Sequence, residues 1–159
     1  MQMAASSTEP LSESFTRFVA EVEPRLRYAL TAALGRERGR EAAAEALAYG
    51  WEHWERLQSM DNPAGYLYRV GRSRGRRRRT LPRFESGRPG RIPDVEPALL
   101  EALAALSERQ RTAVFLVHGL EWSRSEVAEL CGISVTSVGS HLERGLAKLR
   151  ARLGVEADD

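Results

Sequence analysis

Cysteine is nearly absent from this chain: Cys131 is the only one among 159 residues, so no intrachain disulfide can form. A lone thiol at a turn between two helical segments is expected as a small buried apolar residue. No apolar run approaches the roughly 18 residues that a membrane span needs. The opening MQMAASSTEP lacks the basic and apolar regions of a signal peptide, so a cytoplasmic protein that meets no membrane is expected. Nowhere does the sequence alternate with period two for long enough to suggest a sheet. Lysine is almost missing too; Lys148 stands alone among arginines, a compositional trait given no functional weight. There is no Cys/His ligand cluster, no phosphate-cradling glycine loop and no nucleophile–base–acid triad. His53, His118 and His141 fall in separate helical contexts without carboxylate partners by spacing. An enzyme, a metal site and a cofactor are therefore not expected.

What is present is cationic charge in one band. The net charge is only +2, yet ten arginines and a single acid, Glu85, lie between Arg69 and Arg91. A chain that concentrates cations this way usually meets a polyanion there. Hydrophobic residues make up 42% and charged residues 29%, the balance of a globular rather than a disordered chain.

The second strong feature is residues 122–150, WSRSEVAELCGISVTSVGSHLERGLAKLR. Ser123 with Glu126 makes a capping box at the start of a first helix, whose apolar side is Val127, Ala128 and Leu130. Cys131-Gly132-Ile133 breaks it, with Gly132 able to adopt a left-handed turn. Ser134 caps a second helix. There Val135, Val138, Leu142, Leu146 and Leu149 recur at spacings of three and four, which predicts one buried stripe. Thr136, Ser137, Gly139, Ser140, His141, Arg144 and Lys148 fall on the other face. Small polar residues on the first exposed turns, with cations behind them, suit a helix lying in a DNA major groove. A plain packing unit of an all-α protein has the same outline, so the segment alone leaves both readings open.

The remainder reads as helix throughout. Residues 1–11 are expected as a disordered tail. Phe15, Phe18, Val19 and Val22 open a stripe that Leu26, Leu30 and Leu34 continue beyond Pro24. Residues 35–39, GRERG, read as a polar break before an alanine-rich helix near Arg40–Leu57, with Trp54 assigned to the core and Trp51 left open. Asn62 caps a third helix with Pro63 at its first position, where a missing N–H costs nothing. That helix runs through Tyr66, Leu67, Tyr68 and Val70 into Arg76–Arg79. Four prolines and two glycines make residues 80–97 a linker. Leu99, Leu100, Leu103 and Leu106 open a second helical unit, in which Ser107 and Gln110 form another capping box. The fold class predicted is all-α: two small helical domains, 12–79 and 98–154, joined by a mobile linker, each marginal alone, with an acidic tail at 155–159.

This order is similar to the sigma-70 family, specifically to its compact extracytoplasmic-function (ECF) members of actinobacterial type. LSERQRTAVFLVHGLEWSRSEVAELCGISVTSVGSHLERGLAKLRARL at 106–153 resembles the family's region 4, a helix-turn-helix domain. NPAGYLYRVGRSRGRRR at 62–78 resembles regions 2.3 and 2.4, the strand-separating and promoter-reading helix, and EALAYGWEHWERL at 45–57 resembles region 2.2. The resemblance implies a sigma factor that binds core RNA polymerase, recognises promoter DNA and helps open the duplex in transcription initiation. It admits an anti-sigma factor as a further partner. The implied upstream reader is the second helix of the pair: Ser137, Ser140, His141 and Arg144 for base edges, and Thr136, Arg124 and Lys148 for phosphates. For His141 a merely solvated helix position is the alternative. Around the downstream element, Arg69, Arg72, Arg74 and Arg76, Arg77, Arg78 and Arg79 would neutralise phosphates, although a helix end also accommodates solvated arginines that complement its dipole. Tyr66 and Tyr68 offer rings for unpaired bases, or serve as core residues with a wet hydroxyl; two apart on a helix, only one of them is expected to reach DNA. Glu41, Glu45, Glu52 and Glu55 would meet the polymerase.

Two departures from the family pattern stand out. Ala43, Ala44, Leu47 and Ala48 occupy places where polar or acidic residues are common in region 2.2. Gly139 and Glu143 occupy places that are often basic on the reading helix, and Gly145 adds a second mid-helix glycine, each costing about 1 kcal/mol against alanine. Two other functions are compatible with these departures: a sigma-like DNA-binding regulator that has lost core binding, and an adaptor that titrates an anti-sigma factor.

Overall fold

The computed structural model describes residues 10–77 and 97–155, and every element among them is helical. Arg78, Arg79, the linker through Glu96, most of the N-terminal tail and the end of the acidic tail lie outside the described residues. In chain order the helices are α1 Leu11–Leu34, α2 Arg36–Glu52, the short α3 Trp54–Leu57, α4 Pro63–Arg77, α5 Pro97–Ala104, α6 Glu108–Val114, α7 Arg124–Cys131 and α8 Val135–Leu153. A π-helical turn, Phe115–Gly119, continues α6.

Local chemistry explains most of the boundaries. The Asn62 side-chain oxygen accepts from the Gly65 N–H at 2.9 Å and caps α4. Both capping boxes form: Ser107 with Gln110 on α6, and Ser123 with Glu126 on α7. Ser134 accepts from the Ser137 N–H at 3.0 Å and starts α8. Gly132 ends α7 in the left-handed region at φ 67°, a conformation that costs other residues a Cβ clash.

Three boundaries differ from the sequence expectation. The helix expected near Arg40–Leu57 is divided at His53 into α2 and α3. The polar break is one residue, not five: Gly35 alone turns the chain at φ 91°, and Arg36–Gly39 already belong to α2. A methyl on Gly39 would stand 2.4 Å from the Thr31 Cα, so α1 and α2 meet at nearly backbone distance just past the corner. The N-terminal helix also starts one residue earlier than expected, at Leu11, and runs through Pro24 without a break.

Leu26, Leu30, Leu57 and Leu67 are fully buried where α1, α2, α3 and α4 meet, and Trp54 joins them at 6% exposure. Trp51 is 52% exposed and its ring packs at a tilt on Phe15, with centroids 5.3 Å apart. In the C-terminal half, Leu116, Val127, Val138 and Leu142 fill the space between α6, α7 and α8. Each such side chain contributes about 1.5–3 kcal/mol by leaving water. The α8 stripe begins one turn later than expected. Val135, at the first helical position, is 48% exposed, whereas Val138, Leu142 and Leu149 are buried. Gly145 lies within this stripe because α6 comes too close for anything larger: a Cβ there would stand 2.8 Å from Val114 Cγ2.

The two halves are seated on each other. Arg111 of α6 donates to the carbonyls of Ala32 and Ala33 at 2.7 and 2.8 Å, satisfying two of the last α1 carbonyls that have no helical partner. Asn62 donates through its amide nitrogen to the Glu129 carbonyl at 2.7 Å, near the end of α7. Arg25 lies over the Trp122 ring at 4.9 Å and approaches Glu126 at 3.7 Å.

Candidate nucleic-acid interface

Two surfaces carry the cations and small polar groups that a nucleic acid would meet. One is the outer face of α8. With Val138, Leu142 and Leu149 turned inward against α6 and α7, helical periodicity turns Thr136, Ser140, Arg144 and Lys148 out to solvent. Ser137 and His141 are half-buried beside them. The Ser134 hydroxyl donates to Ser137 Oγ at 2.9 Å, which fixes that side chain at the helix mouth. Arg124, from the start of α7, reaches across to α8: a Cβ on Gly139 would meet its Nη1 at 3.5 Å. Gly139 therefore sits under a guanidinium that adds a cation to the face from a neighbouring helix. That position is less neutral than its own side chain suggests.

Two further members of this face are conditioned by their surroundings. Lys148 Nζ donates to Gln110 Oε1 at 3.1 Å, tying α8 to the α6 capping box. Burial, together with the nearby charges of Arg109 and Arg144, holds the His141 imidazole below its usual protonation range. Its uncharged, hydrogen-bonding form is therefore favoured, and it does not add to the cations of Arg124, Arg144 and Lys148.

The second surface is α4 with the loop before it. Arg69, Arg74, Arg76 and Arg77 are exposed along α4. Arg72 is less so: its side chain is 17% exposed and pairs through Nε with Glu108 of α6. Arg76 donates from Nε and Nη2 to the other Glu108 oxygen, at 3.0 and 2.7 Å. The Arg69 guanidinium lies beside Gly132, at the turn of the helix pair. Three of these arginines thus face the C-terminal half, while Arg74 lies over the Tyr49 ring at 5.1 Å.

The two tyrosines separate as the helical spacing requires. Tyr66 is half-buried at the surface, its hydroxyl 3.4 Å from that of Tyr49. Tyr68 is the core member of the pair: it is 2% exposed and buried between α4 and the C-terminal half. Burial, with the Cys131 thiol beside it, drives its hydroxyl well above the usual phenol range. Cys131 is correspondingly shielded, its thiol pushed up by burial.

Sequence reasoning missed two groups. Glu108 was legible only as a first-turn acid of α6. The other is a cluster at the end of α2: His53 stacks on Tyr49 with ring centres 4.0 Å apart, and Arg56 donates to the Tyr49 hydroxyl at 3.1 Å. Arg56 also lies 5.8 Å over Tyr66. Hydrogen bonds from Tyr49 and Arg56 lower the Tyr66 hydroxyl below its ordinary range. The i, i+4 spacing of Tyr49 and His53 was the available sign of it.

Of the four acids expected to face the polymerase, Glu41, Glu52 and Glu55 are exposed and Glu45 half-buried. The apolar residues among them divide. Ala43 is buried at 3% and Leu47 packs on the core. Only Ala44 and Ala48 lie on the exposed face.

The fold and these two surfaces define a class: a helical protein whose C-terminal half is a capped helix-turn-helix and whose N-terminal half carries an arginine-faced helix. Residues 97–149 match the family model for sigma-70, region 4. The chain is 28% identical to the ECF RNA polymerase sigma factor SigG of Mycobacterium tuberculosis over 191 aligned positions, covering 91% of this chain. That alignment takes in 51% of the relative, so the chain spans about half the length of the curated relatives it matches. The sigma factor RpoE of Bartonella quintana, solved with the anti-sigma factor NepR, has the same fold at a TM-score of 0.64 and 21% identity, covering 91% of this chain and 99% of that one. CnrH, solved with the cytosolic domain of CnrY, aligns at a TM-score of 0.58 and 23% identity, covering 92% and 91%. The C-terminal half thus matches sigma-70 region 4, and the chain as a whole is similar to ECF sigma factors.

Proposed function

We propose that this chain binds core RNA polymerase and directs it to promoters through two separate grips on DNA. The observation that carries this reading is the pairing of the capped α7–α8 unit, reading face outward, with the arginine face of α4. In this reading residues 98–154 form the upstream-reading domain. Arg144 pairs with a base edge, Ser137, Ser140 and neutral His141 make shorter contacts, and Thr136, Arg124 and Lys148 hold phosphates. Residues 12–79 form the domain for the downstream element. Arg69, Arg72, Arg74 and Arg76–Arg79 neutralise its phosphates, and Tyr66 stacks on an unpaired base. Glu41, Glu45, Glu52 and Glu55 face the polymerase, and the place of action is the bacterial cytoplasm. An anti-sigma factor is the natural regulatory partner, by analogy with the complexes solved for RpoE and CnrH.

The test is pull-down with core polymerase, followed by run-off transcription from the gene's own upstream region. Promoter-dependent transcript from the reconstituted enzyme, and none from core alone, is expected. Failure to bind core at low salt would remove the reading. A regulator without core binding is the second possibility, and Ala44 and Ala48 on the exposed α2 face are what favour it. It predicts sequence-specific duplex binding by the chain alone.

A further inference from the structure

Glu108 occupies an unusual position. It belongs to the C-terminal half, yet both of its carboxylate oxygens are taken by arginines of α4: Oε1 by Arg72, and Oε2 by Arg76 through two nitrogens. Its side chain is 21% exposed, so the pairs are partly shielded from solvent. A planar guanidinium holding a carboxylate through two nitrogens uses the same donors that it would offer to a phosphate. Arg76 cannot do both at once, and Arg72, less exposed still, is further from a nucleic acid in this arrangement.

The neighbouring contacts extend the pattern. The Arg69 guanidinium lies against the helix–turn at Gly132, and Tyr68 is buried beside Cys131. The α4 face that carries the cations therefore forms one side of the interface between the halves, beside the packing of α1 on α6 and the π-helical turn. The α8 reading face is left outside it: α8 packs on α5, α6 and α7.

We propose that Glu108 acts as an internal substitute for DNA phosphate, holding the chain in a closed state in which the α4 grip is masked and the α8 grip is not. The proposal rests on the nucleic-acid reading above and adds its regulation. Binding at α4 requires Glu108 to be displaced, so DNA phosphates compete with one carboxylate for Arg72 and Arg76. A ligand that binds only the open state then drives the two halves apart. High salt weakens the latch, because the Arg76 side chain is half exposed.

The experiment compares the full chain with Glu108→Gln and Glu108→Asp. Small-angle scattering gives the radius of gyration at low and high salt. Fluorescence anisotropy gives affinity for a labelled mixed-sequence DNA, single-stranded and duplex, of about 20 nucleotides. Circular dichroism checks that each variant retains its helix content. Glu108→Gln is expected to be expanded already at low salt and to bind single-stranded DNA roughly three- to ten-fold more tightly. Glu108→Asp, which keeps the charge, stays closer to the parent. The parent expands on going from low to high salt, whereas Glu108→Gln changes little. Equal radii and equal affinities for parent and Glu108→Gln would overturn the latch. Failure of both proteins to bind either DNA, with Glu108→Gln still expanded, would instead overturn the nucleic-acid reading and the masking with it.

Discussion

Lys148, on α8, donates to Gln110 Oε1 at 3.1 Å, the same oxygen that accepts the Ser107 N–H at 3.2 Å. One buried amide therefore caps α6 and anchors the far end of α8. Gln110→Ala removes both contacts and leaves the Ser107 N–H without its partner. A loss of about 1–2 kcal/mol in unfolding free energy is expected. Denaturant titration checks it, and an unchanged midpoint would mean the capping box is not stabilising.

The two mid-helix glycines of α8 predict opposite signs. At Gly145 a methyl would press on Val114 Cγ2 at 2.8 Å, so Gly145→Ala is expected to destabilise by roughly 1–3 kcal/mol despite the better helix propensity. At Gly139 the nearest contact is 3.5 Å, to the flexible end of Arg124. Gly139→Ala is therefore expected to stabilise by about 0.5–1 kcal/mol. Chemical denaturation of both variants side by side decides whether packing or propensity governs each site.

His141 should titrate below its ordinary value of 6.5, because burial, Arg109 and Arg144 all oppose its charge. Between the depressed and the ordinary value the unfolded chain binds more protons than the folded one. Stability is thus complete above the ordinary value and declines as pH falls through the depressed one. His141→Asn should flatten that part of the stability–pH curve. NMR titration of the ring protons reports the midpoint directly; a midpoint above 6.5 would contradict the assignment.

Arg144 and Arg77 should fail differently. If Arg144 pairs with a base edge, Arg144→Ala costs about 1–3 kcal/mol and relaxes preference at one base pair. Arg77, exposed near the end of α4, is expected to bind phosphate only. Arg77→Ala should weaken binding evenly across sequences and lower the salt slope by roughly one counterion. Competition binding across a substituted promoter series, repeated at several salt concentrations, separates the two.

Local chemistry was the legible part of this protein. Asn62, Ser107, Ser123, Ser134 and Gly132 act within three or four residues of themselves, so sequence spacing alone places them. The α8 stripe was legible apart from Val135, because periodicity says which side a residue faces but not where the neighbouring helices end. What spacing does not carry is a contact across tens of residues. Arg111 reaches the α1 carbonyls 78 and 79 positions away, and Glu108 reaches Arg76 from 32 positions away. Both look like ordinary surface charges when read along their own helix. Which of the two tyrosines is the buried one was not legible for the same reason: the partners of Tyr68, Cys131 and the α7 end, come from the other half of the chain. Ala43 and Leu47 looked like missing polymerase contacts, whereas the core accounts for both.

Asn62 divides its side chain between the two halves. Its oxygen holds the start of α4, and its nitrogen donates to the Glu129 carbonyl at 2.7 Å. Separation of the halves leaves the first bond in place and breaks the second. The carboxamide is thereby a built-in spectroscopic probe: the paired NH₂ resonances of one residue distinguish a joined chain from a parted one, with no label added and no cation disturbed.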